Sequence, residues 1–369
     1  MSKPVCLDDY EAYARQKMEA PHFGFFCTGA EDEVTLRRNK EAYNELIIRP
    51  RVMVNVKDID LSTSILGQPI KTPICIAPTS NHRLAHPEAE KATVRASAAH
   101  GTCFCLSSYS NCGMETVMNE ATKVDPNSLQ WFQLYVDRDR KVTEQMVRRC
   151  EKAGFKAIVL TVDLPTLGRR LTEERAGFKL PDFIRFGNFQ DEHSGRGPNR
   201  HFGYDVDASL NWKDVAWLKS ITKLPIVVKG VLRGDDAALA VKHGAQGIIV
   251  SNHGGRQLDH SPASIEALPE IIEAVRGTSV EVYVDGGIRH GSDVFKALAL
   301  GARAVFLGRP IIYGLAYNGE DGVKQVLSQI NKDLTTTMTL AGCTSIDKIT
   351  RDYVAPRIPL SVRLLAGKL

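Results

Sequence analysis

From residue 74 onward, short unbroken apolar runs alternate with stretches in which apolar residues recur every third or fourth position. The runs are Ile74–Pro78, Cys103–Ser107, Trp131–Val136, Ala157–Asp163, Pro225–Lys229, Gly247–Ser251, Val280–Asp285 and Ala304–Gly308. Runs apolar at consecutive positions fit strands buried on both faces, as in a parallel sheet. Between them, Asp235–His243, Ser264–Val275 and Ser292–Leu300 carry apolar residues at i, i+3 and i+4, and Gly301 stands where a helix should stop. About eight strand–helix units predict an α/β fold, a (β/α)8 TIM barrel with its chemistry at the strand C-termini. A doubly wound open sheet is the alternative, but the G-x-G-x-x-G expected after its first strand is missing.

Two regions fall outside the alternation. Residues 1–70 read as helices, including Leu7–Gln16 and Glu31–Leu46, plus an extended arm that packs on a barrel spanning 71–345. With a tail at 346–369, this predicts one domain over residues 1–369. The connection after Asp163 is the longest, running through Leu180–Asp207 before a helix near Trp212. Such a loop over a barrel mouth is commonly a lid or a disordered flap.

Composition narrows the classes further. With 43% hydrophobic and 24% charged residues, the chain is ordinary globular protein, which excludes collagen-like and low-complexity readings. The 47 Lys+Arg against 43 Asp+Glu lie without blocks of one sign, so no nucleic-acid partner is expected. No apolar run approaches the roughly 18 residues of a membrane helix, and Met1–Tyr10 lacks the apolar core of a secretory signal. The expectation is therefore no membrane partner and no leader. Eight cysteines without a CxxC predict reduced thiols, not a disulfide scaffold or a metal site.

In a barrel, the residues at the strand ends carry the chemistry. Those positions hold Pro78-Thr79-Ser80, Ser107-Ser108-Tyr109, Gln133 and Tyr135, Thr161 and Asp163, and Lys229. Next come Ser251-Asn-His253-Gly-Gly-Arg256, Asp285-Gly286-Gly287-Ile-Arg289 and Gly308-Arg309. So many ionisable groups converging on one face would cost more than they return without a ligand. Asp285-Gly286-Gly287 and Gly308-Arg309 on the last two strands predict a phosphate site, from close-approaching backbone N–H groups and a bidentate guanidinium. His253 and Arg256, three apart on a glycine-rich loop, suit a proton acceptor and a carboxylate clamp, with Asp163 to orient the imidazole. A phosphate-binding barrel isomerase shares the last two strands but does not need the His253–Arg256 pairing. A non-catalytic barrel is a third possibility.

The blocks Ser251–Asp259, Asp285–Arg289 and Gly308-Arg309-Pro310, within similarity running from Gly29-Ala-Glu-Asp to Leu340-Ala-Gly-Cys343, closely resemble the FMN-dependent 2-hydroxy acid oxidase family. The resemblance implies FMN across the barrel mouth, its ring system along Ala77, Pro78, Thr79 and Ser80. Its polar edges would meet Ser107, Gln133 and Thr161, with Ser251 also in the cofactor site. It implies Lys229 near the N1/O2 edge, Asp285 in the cofactor site, and phosphate held by Gly286, Gly287, Arg289, Gly308 and Arg309. His253 would take the proton, Asp163 would stabilise the imidazolium, and Arg256 with Arg170 would bind the substrate carboxylate. Tyr135 would hydrogen-bond the substrate, beside Tyr109. The implied reaction takes a 2-hydroxy acid and O2 to a 2-oxo acid and H2O2, in a homotetramer. A flavin dehydrogenase passing electrons to another acceptor is the nearest alternative.

One position departs from the glycolate-preferring pattern. Alignment on Thr28-Gly29-Ala30 puts Phe25 where those members carry a tyrosine in the first-helix segment. The long-chain branch has phenylalanine there and shares Gly254-Gly255, and Tyr109 stands where the glycolate enzyme has tryptophan. The expectation is a medium- or long-chain 2-hydroxy acid, with a glycolate- or lactate-preferring enzyme as the alternative. The terminal Gly367-Lys368-Leu369 resembles the peroxisomal Ser-Lys-Leu signal except at Gly367. This predicts a peroxisomal enzyme, or else a cytoplasmic one.

Overall fold

A computed structural model describes residues 3–189 and 206–357. Part of the long loop expected at Leu180–Asp207, namely residues 190–205, lies outside the described residues, as does the tail with Gly367-Lys368-Leu369.

Eight parallel strands close into a barrel. They are β1 (Ile74–Ile76), β2 (Phe104–Ser107), β3 (Gln130–Leu134), β4 (Ile158–Thr161), β5 (Ile226–Val231), β6 (Gly247–Val250), β7 (Glu281–Asp285) and β8 (Ala304–Leu307). Closure is made by β8 on β1, with Val305 opposite Ile74 and Leu307 opposite Ile76. The open-sheet alternative is thereby excluded. Each strand falls inside or within a residue of its predicted run except β5, which continues two residues past Lys229 to Val231.

The strand period sorts each run into two faces. Cys75, Cys105, Trp131, Val159, Val227, Ile249, Tyr283 and Phe306 form one apolar cluster inside the barrel. Alternating residues such as Ile76, Phe132, Leu160, Val228 and Val284 join a second, larger cluster with the surrounding helices. The helices end as their sequences dictate. In Arg140–Ala153 the Asp139 carboxylate accepts from Lys141 N–H, and Gly154, at φ +98°, closes the C-terminus. Its buried face is Thr143, Met146, Val147 and Cys150, the i, i+3, i+4, i+7 stripe of an amphipathic helix. Gly301, at φ +109°, follows the end of Gly291–Ala299 as expected.

The N-terminal segment contains Leu7–Lys17, Ala20–Cys27 and Val34–Glu41, the last continuing as a 3-10 turn over Ala42–Glu45. Leu7, Tyr10, Ala14, Phe23 and Tyr43 share the outer apolar cluster. The extended arm splits in two. Leu46–Ile48 pairs antiparallel with Val354–Pro356, and a hairpin of Thr63–Ile65 and Gln68–Ile70 adds Ile65 and Ile70 to the interior cluster. Leu66 and Gly67 both take positive φ, the hairpin geometry in which two residues turn the chain. The hairpin thus corks the barrel end opposite the strand C-termini. All eight cysteines are free, and among the described residues no helix is long and apolar enough to cross a membrane.

Candidate active site

The step from floor to mouth is two residues on every strand. Beyond Cys75, Cys105, Trp131, Val159, Val227, Ile249, Tyr283 and Phe306 come Ala77, Ser107, Gln133, Thr161, Lys229, Ser251, Asp285 and Gly308. Seven of these, all but Ser251, line a cleft of about 1140 Å³ counting space open to solvent. Also on its wall are Pro78, Thr79, Ser80, Tyr135, Arg170, His253, Arg256, Gly286, Gly287, Arg289 and Arg309.

Three expected site residues stand one layer back. Ser251 lies beneath the wall, its Oγ accepting from Lys229 Nζ (3.1 Å) and from the His253 N–H (3.1 Å). Asp163 sits behind His253. Tyr109 is buried against Tyr135, Phe186 and Phe189, with ring centroids 5.7, 5.3 and 5.2 Å away. It supports Tyr135 and forms no part of the larger cleft's wall.

His253 holds a left-handed backbone conformation, φ +59°, that turns its ring into the cleft. Its Nδ1 pairs with Asp163 Oδ1 at 2.8 Å, and Nε2 lies 3.4 Å from the Tyr135 hydroxyl. With Nδ1–H donated to the carboxylate, the Nε2 lone pair faces the cleft. Burial pulls the imidazole below its ordinary value, and Lys229 adds to this against the pull of Asp163. The resting ring is therefore neutral near pH 7, a proton acceptor. Burial pushes the Asp163 carboxyl up, but His253 and Lys229 outweigh it and keep it below the usual range. Burial, then Asp163, raises the Tyr135 phenol well above its ordinary value, so it stays a hydrogen-bond donor.

Lys229 is placed by a bulge. The register slips between Lys229 and Val231, and Gly230 takes φ +107°, where a Cβ would fall 2.6 Å from the Asp163 side chain. Only glycine lets β5 pass this close to Asp163, two residues beyond the end of β4. The buried ammonium lies 3.6 Å from Asp285 Oδ2. Burial opposes its charge, but Asp285 and Asp163 prevail and hold its pKa above the ordinary value. The mouth floor therefore carries a fixed positive charge.

On the far wall, Arg256 Nη1 donates to Thr28 O at 3.0 Å, and its guanidinium lies 5.2 Å from the Phe25 ring centroid. Phe25 is on Ala20–Cys27, the second helix rather than the first, packed on Phe26 and Phe178. Arg170 precedes the short helix Leu171–Arg175, which the sequence reading passed over. That helix carries Glu173, whose Oε1 is 3.4 Å from both Arg170 Nη1 and Arg256 Nη2. Burial, then Arg170, hold the Arg256 guanidinium well below its ordinary value, and Glu173 opposes them only in part.

Under the last two strands, Gly287 has φ +78°, and a Cβ there would come within 1.8 Å of Asn39 O. Arg289 Nε lies 3.3 Å from Asp8. Arg309 opens the helical segment Arg309–Ala341, which breaks at Asn318-Gly319, and donates Nε, Nη1 and Nη2 to Phe26 O, Gly254 O and Thr28 O at 2.8–2.9 Å. It joins the N-terminal segment to the His253 loop while bordering the cleft. A second joint there is a reciprocal amide pair. Asn39 Nδ2 donates to Asn252 Oδ1 (2.9 Å), and Asn252 Nδ2 donates to Asn39 Oδ1 (2.8 Å).

A mouth with an oriented histidine, an arginine pair and a glycine-arginine cradle on its last two strands defines an α/β-barrel enzyme for an anionic cofactor and an acid substrate. The chain belongs to the FMN-dependent dehydrogenase family, which it matches over residues 14–356. It is 48% identical over 356 residues to glycolate oxidase of Spinacia oleracea, covering 95% of each chain. It is 49% identical to a peroxisomal (S)-2-hydroxyacid oxidase of Arabidopsis thaliana, covering 96% of this chain and 97% of the relative. For 2-hydroxyacid oxidase 1 of Homo sapiens the identity is 46%, covering 97% and 98%. A solved mandelate oxidase variant with (S)-mandelic acid superposes with a TM-score of 0.88 at 38% identity, over 97% of this chain and all of that one.

The cleft fits FMN, the family's cofactor. Gln133 Nε2, Thr161 Oγ1 and Asp285 Oδ1 are buried with no hydrogen-bond partner among the described residues. Buried polar groups without partners need a ligand or water. At Gly308 a Cβ would meet nothing nearer than 3.8 Å, so the cradle between Ala77 and Thr79 is open.

Proposed function

We propose that the protein is an FMN-dependent (S)-2-hydroxy acid oxidase, converting a 2-hydroxy acid and O2 to a 2-oxo acid and H2O2. The observation that carries this is the His253 ring, held by Asp163 at 2.8 Å with Nε2 turned to the cleft beside Tyr135. FMN, when bound, supplies the acceptor for the two electrons. Ala77, Pro78, Thr79, Ser80, Ser107, Gln133 and Thr161 would border it, and Gly286, Gly287, Arg289, Gly308 and Arg309 would hold its phosphate. Lys229 adds a positive charge that favours an electron-rich ring.

Arg256 and Arg170 bind the substrate carboxylate and so aim the α-carbon. Tyr135 donates its O–H to the substrate, and Nε2 of His253 takes a proton while Asp163 stabilises the imidazolium. Phe25 brings an aromatic face, not a hydroxyl, to the carboxylate side, which supports a preference for medium or long 2-hydroxy acids. Peroxide production, the peroxisomal relatives and the Gly367-Lys368-Leu369 ending support a peroxisomal location. A homotetramer is part of the same reading.

The test is an absorbance spectrum of the purified protein before and after anaerobic addition of 2-hydroxy acids of increasing length, followed by air. Flavin absorbance bleached by the acids and restored by oxygen is the expected result. A colourless protein that takes up no added FMN overturns the reading. Bleaching that oxygen fails to reverse points to another electron acceptor.

A further inference from the structure

Glu173 has no part in the chemistry just described, yet its carboxylate sits between the two arginines assigned to the substrate. Oε1 is 3.4 Å from Arg170 Nη1 and 3.4 Å from Arg256 Nη2. The site is enclosed, with the Arg170, Arg256 and Glu173 side chains 7, 14 and 19% exposed. The neighbouring charges have other partners. Asp163 faces His253, Lys229 faces Asp285, and Arg309 donates to three backbone carbonyls. Two guanidinium groups and one carboxylate leave a single positive charge, which one substrate carboxylate neutralises. A second carboxylate would enter an enclosed space beside Glu173 with no cation left for it, and unpaired buried charge is costly.

We propose that Glu173 is a specificity-determining residue: by setting the arginine pair to one net positive charge, it selects monocarboxylate 2-hydroxy acids over dicarboxylate ones. This rests on the carboxylate site proposed above. Glu173 acts through the arginines and is a positioning residue, not a catalytic one. A mere strut for the two guanidinium groups would behave differently, since its loss would weaken every carboxylate alike. Loss of a charge counterweight strengthens dianions selectively.

The experiment titrates the FMN-loaded enzyme with propanoate and with malonate, three-carbon acids that differ by one carboxylate and carry no oxidisable hydroxyl. Binding is read from the flavin absorbance change near neutral pH. Glu173→Gln should raise the malonate-to-propanoate affinity ratio about tenfold or more. Glu173→Asp, which keeps the charge, should hold the wild-type ratio. Arg170→Gln should shift it the opposite way, which keeps the test decisive if Glu173→Gln does not retain FMN. The double variant R170Q/E173Q, back at one net charge, should return toward wild type. In turnover, the kcat/KM of malate relative to 2-hydroxybutyrate should rise in Glu173→Gln. A ratio unchanged within twofold, or equal weakening of both acids, overturns the proposal. If wild type oxidises no 2-hydroxy acid while the binding ratio still shifts, the oxidase reading fails and the charge rule stands.

Discussion

The floor and the mouth of this barrel are built by the same strands two residues apart, and they obey opposite rules. On the floor, Trp131, Tyr283 and Phe306 pack with centroids 5.4–5.9 Å apart, over cysteine and valine neighbours, with the hairpin bearing Ile65 and Ile70 beneath them. At the mouth, the same inward direction presents Gln133, Asp285 and Gly308, the first two with buried polar atoms that find no partner among the described residues. The floor is filled by apolar packing, with Trp131 Nε1 its one buried nitrogen lacking a partner among the described residues, and the mouth leaves several buried polar atoms for a ligand. A rise of about 7 Å per two residues separates stability from chemistry, so substitutions in the two layers should fail in different ways.

The largest effect is expected at the mouth. His253→Gln should keep FMN and the unfolding midpoint, yet slow substrate-driven flavin reduction by about 10²–10⁴-fold or more in anaerobic stopped flow. Reduction within tenfold of wild type would remove His253 from the mechanism. Trp131→Ala, two residues below Gln133 on the same strand, should do the reverse. It should cost about 3–5 kcal/mol in urea unfolding while the folded fraction keeps its turnover. A variant as stable as wild type would mean that the floor repacks, and the contrast between layers would then be weaker than drawn.

Phe25→Tyr probes the far wall of the mouth. A hydroxyl reaching the carboxylate is worth at most about 1.5–3 kcal/mol, and it should favour glycolate most, because longer acids already gain about 0.8 kcal/mol per buried methylene. The measurement is kcat/KM over a chain-length series. If wild type already prefers glycolate and the ranking survives the substitution, Phe25 does not set chain length. The smallest effect is a displacement in pH. Because burial holds His253 below its ordinary value, the neutral ring persists as pH falls, and the acid limb of kcat/KM should lie below the free-histidine value of about 6.5. Asp163 favours the protonated ring, so Asp163→Asn should move that limb to lower pH still. A shift to higher pH would show that Asp163 does not act on His253 in this way.

The barrel was legible because its strands are apolar at consecutive positions, a signal that survives without knowledge of neighbours. The mouth positions were legible once the barrel was, since the strand ends follow from the period. Ala20–Cys27 was harder to read, because Ala-Pro-His-Phe-Gly-Phe-Phe-Cys has no polar face to mark a helix. Glu173 was invisible for a different reason. Its meaning comes from Arg256, far along the chain, and Leu171–Arg175 has no buried residue to give it a period. The retreat of Tyr109 into a second layer likewise depends on Phe186 and Phe189, which the long loop brings over it.

The amide pair of Asn39 and Asn252 sets an order of assembly. The partners are 213 residues apart, and they are reinforced by Ala30 N–H on Gly255 O and by Asp259 capping Val34 and Thr35. On a growing chain, the N-terminal helices emerge first but cannot engage these partners until the sixth strand and its loop have been made. Closing so long an interval is slow, and the early segment meanwhile exposes apolar faces that a chaperone could cover. The N-terminal helices are therefore among the last elements to lock, and the wall that holds His253 in place closes only after Asn252 and Asp259 have been made.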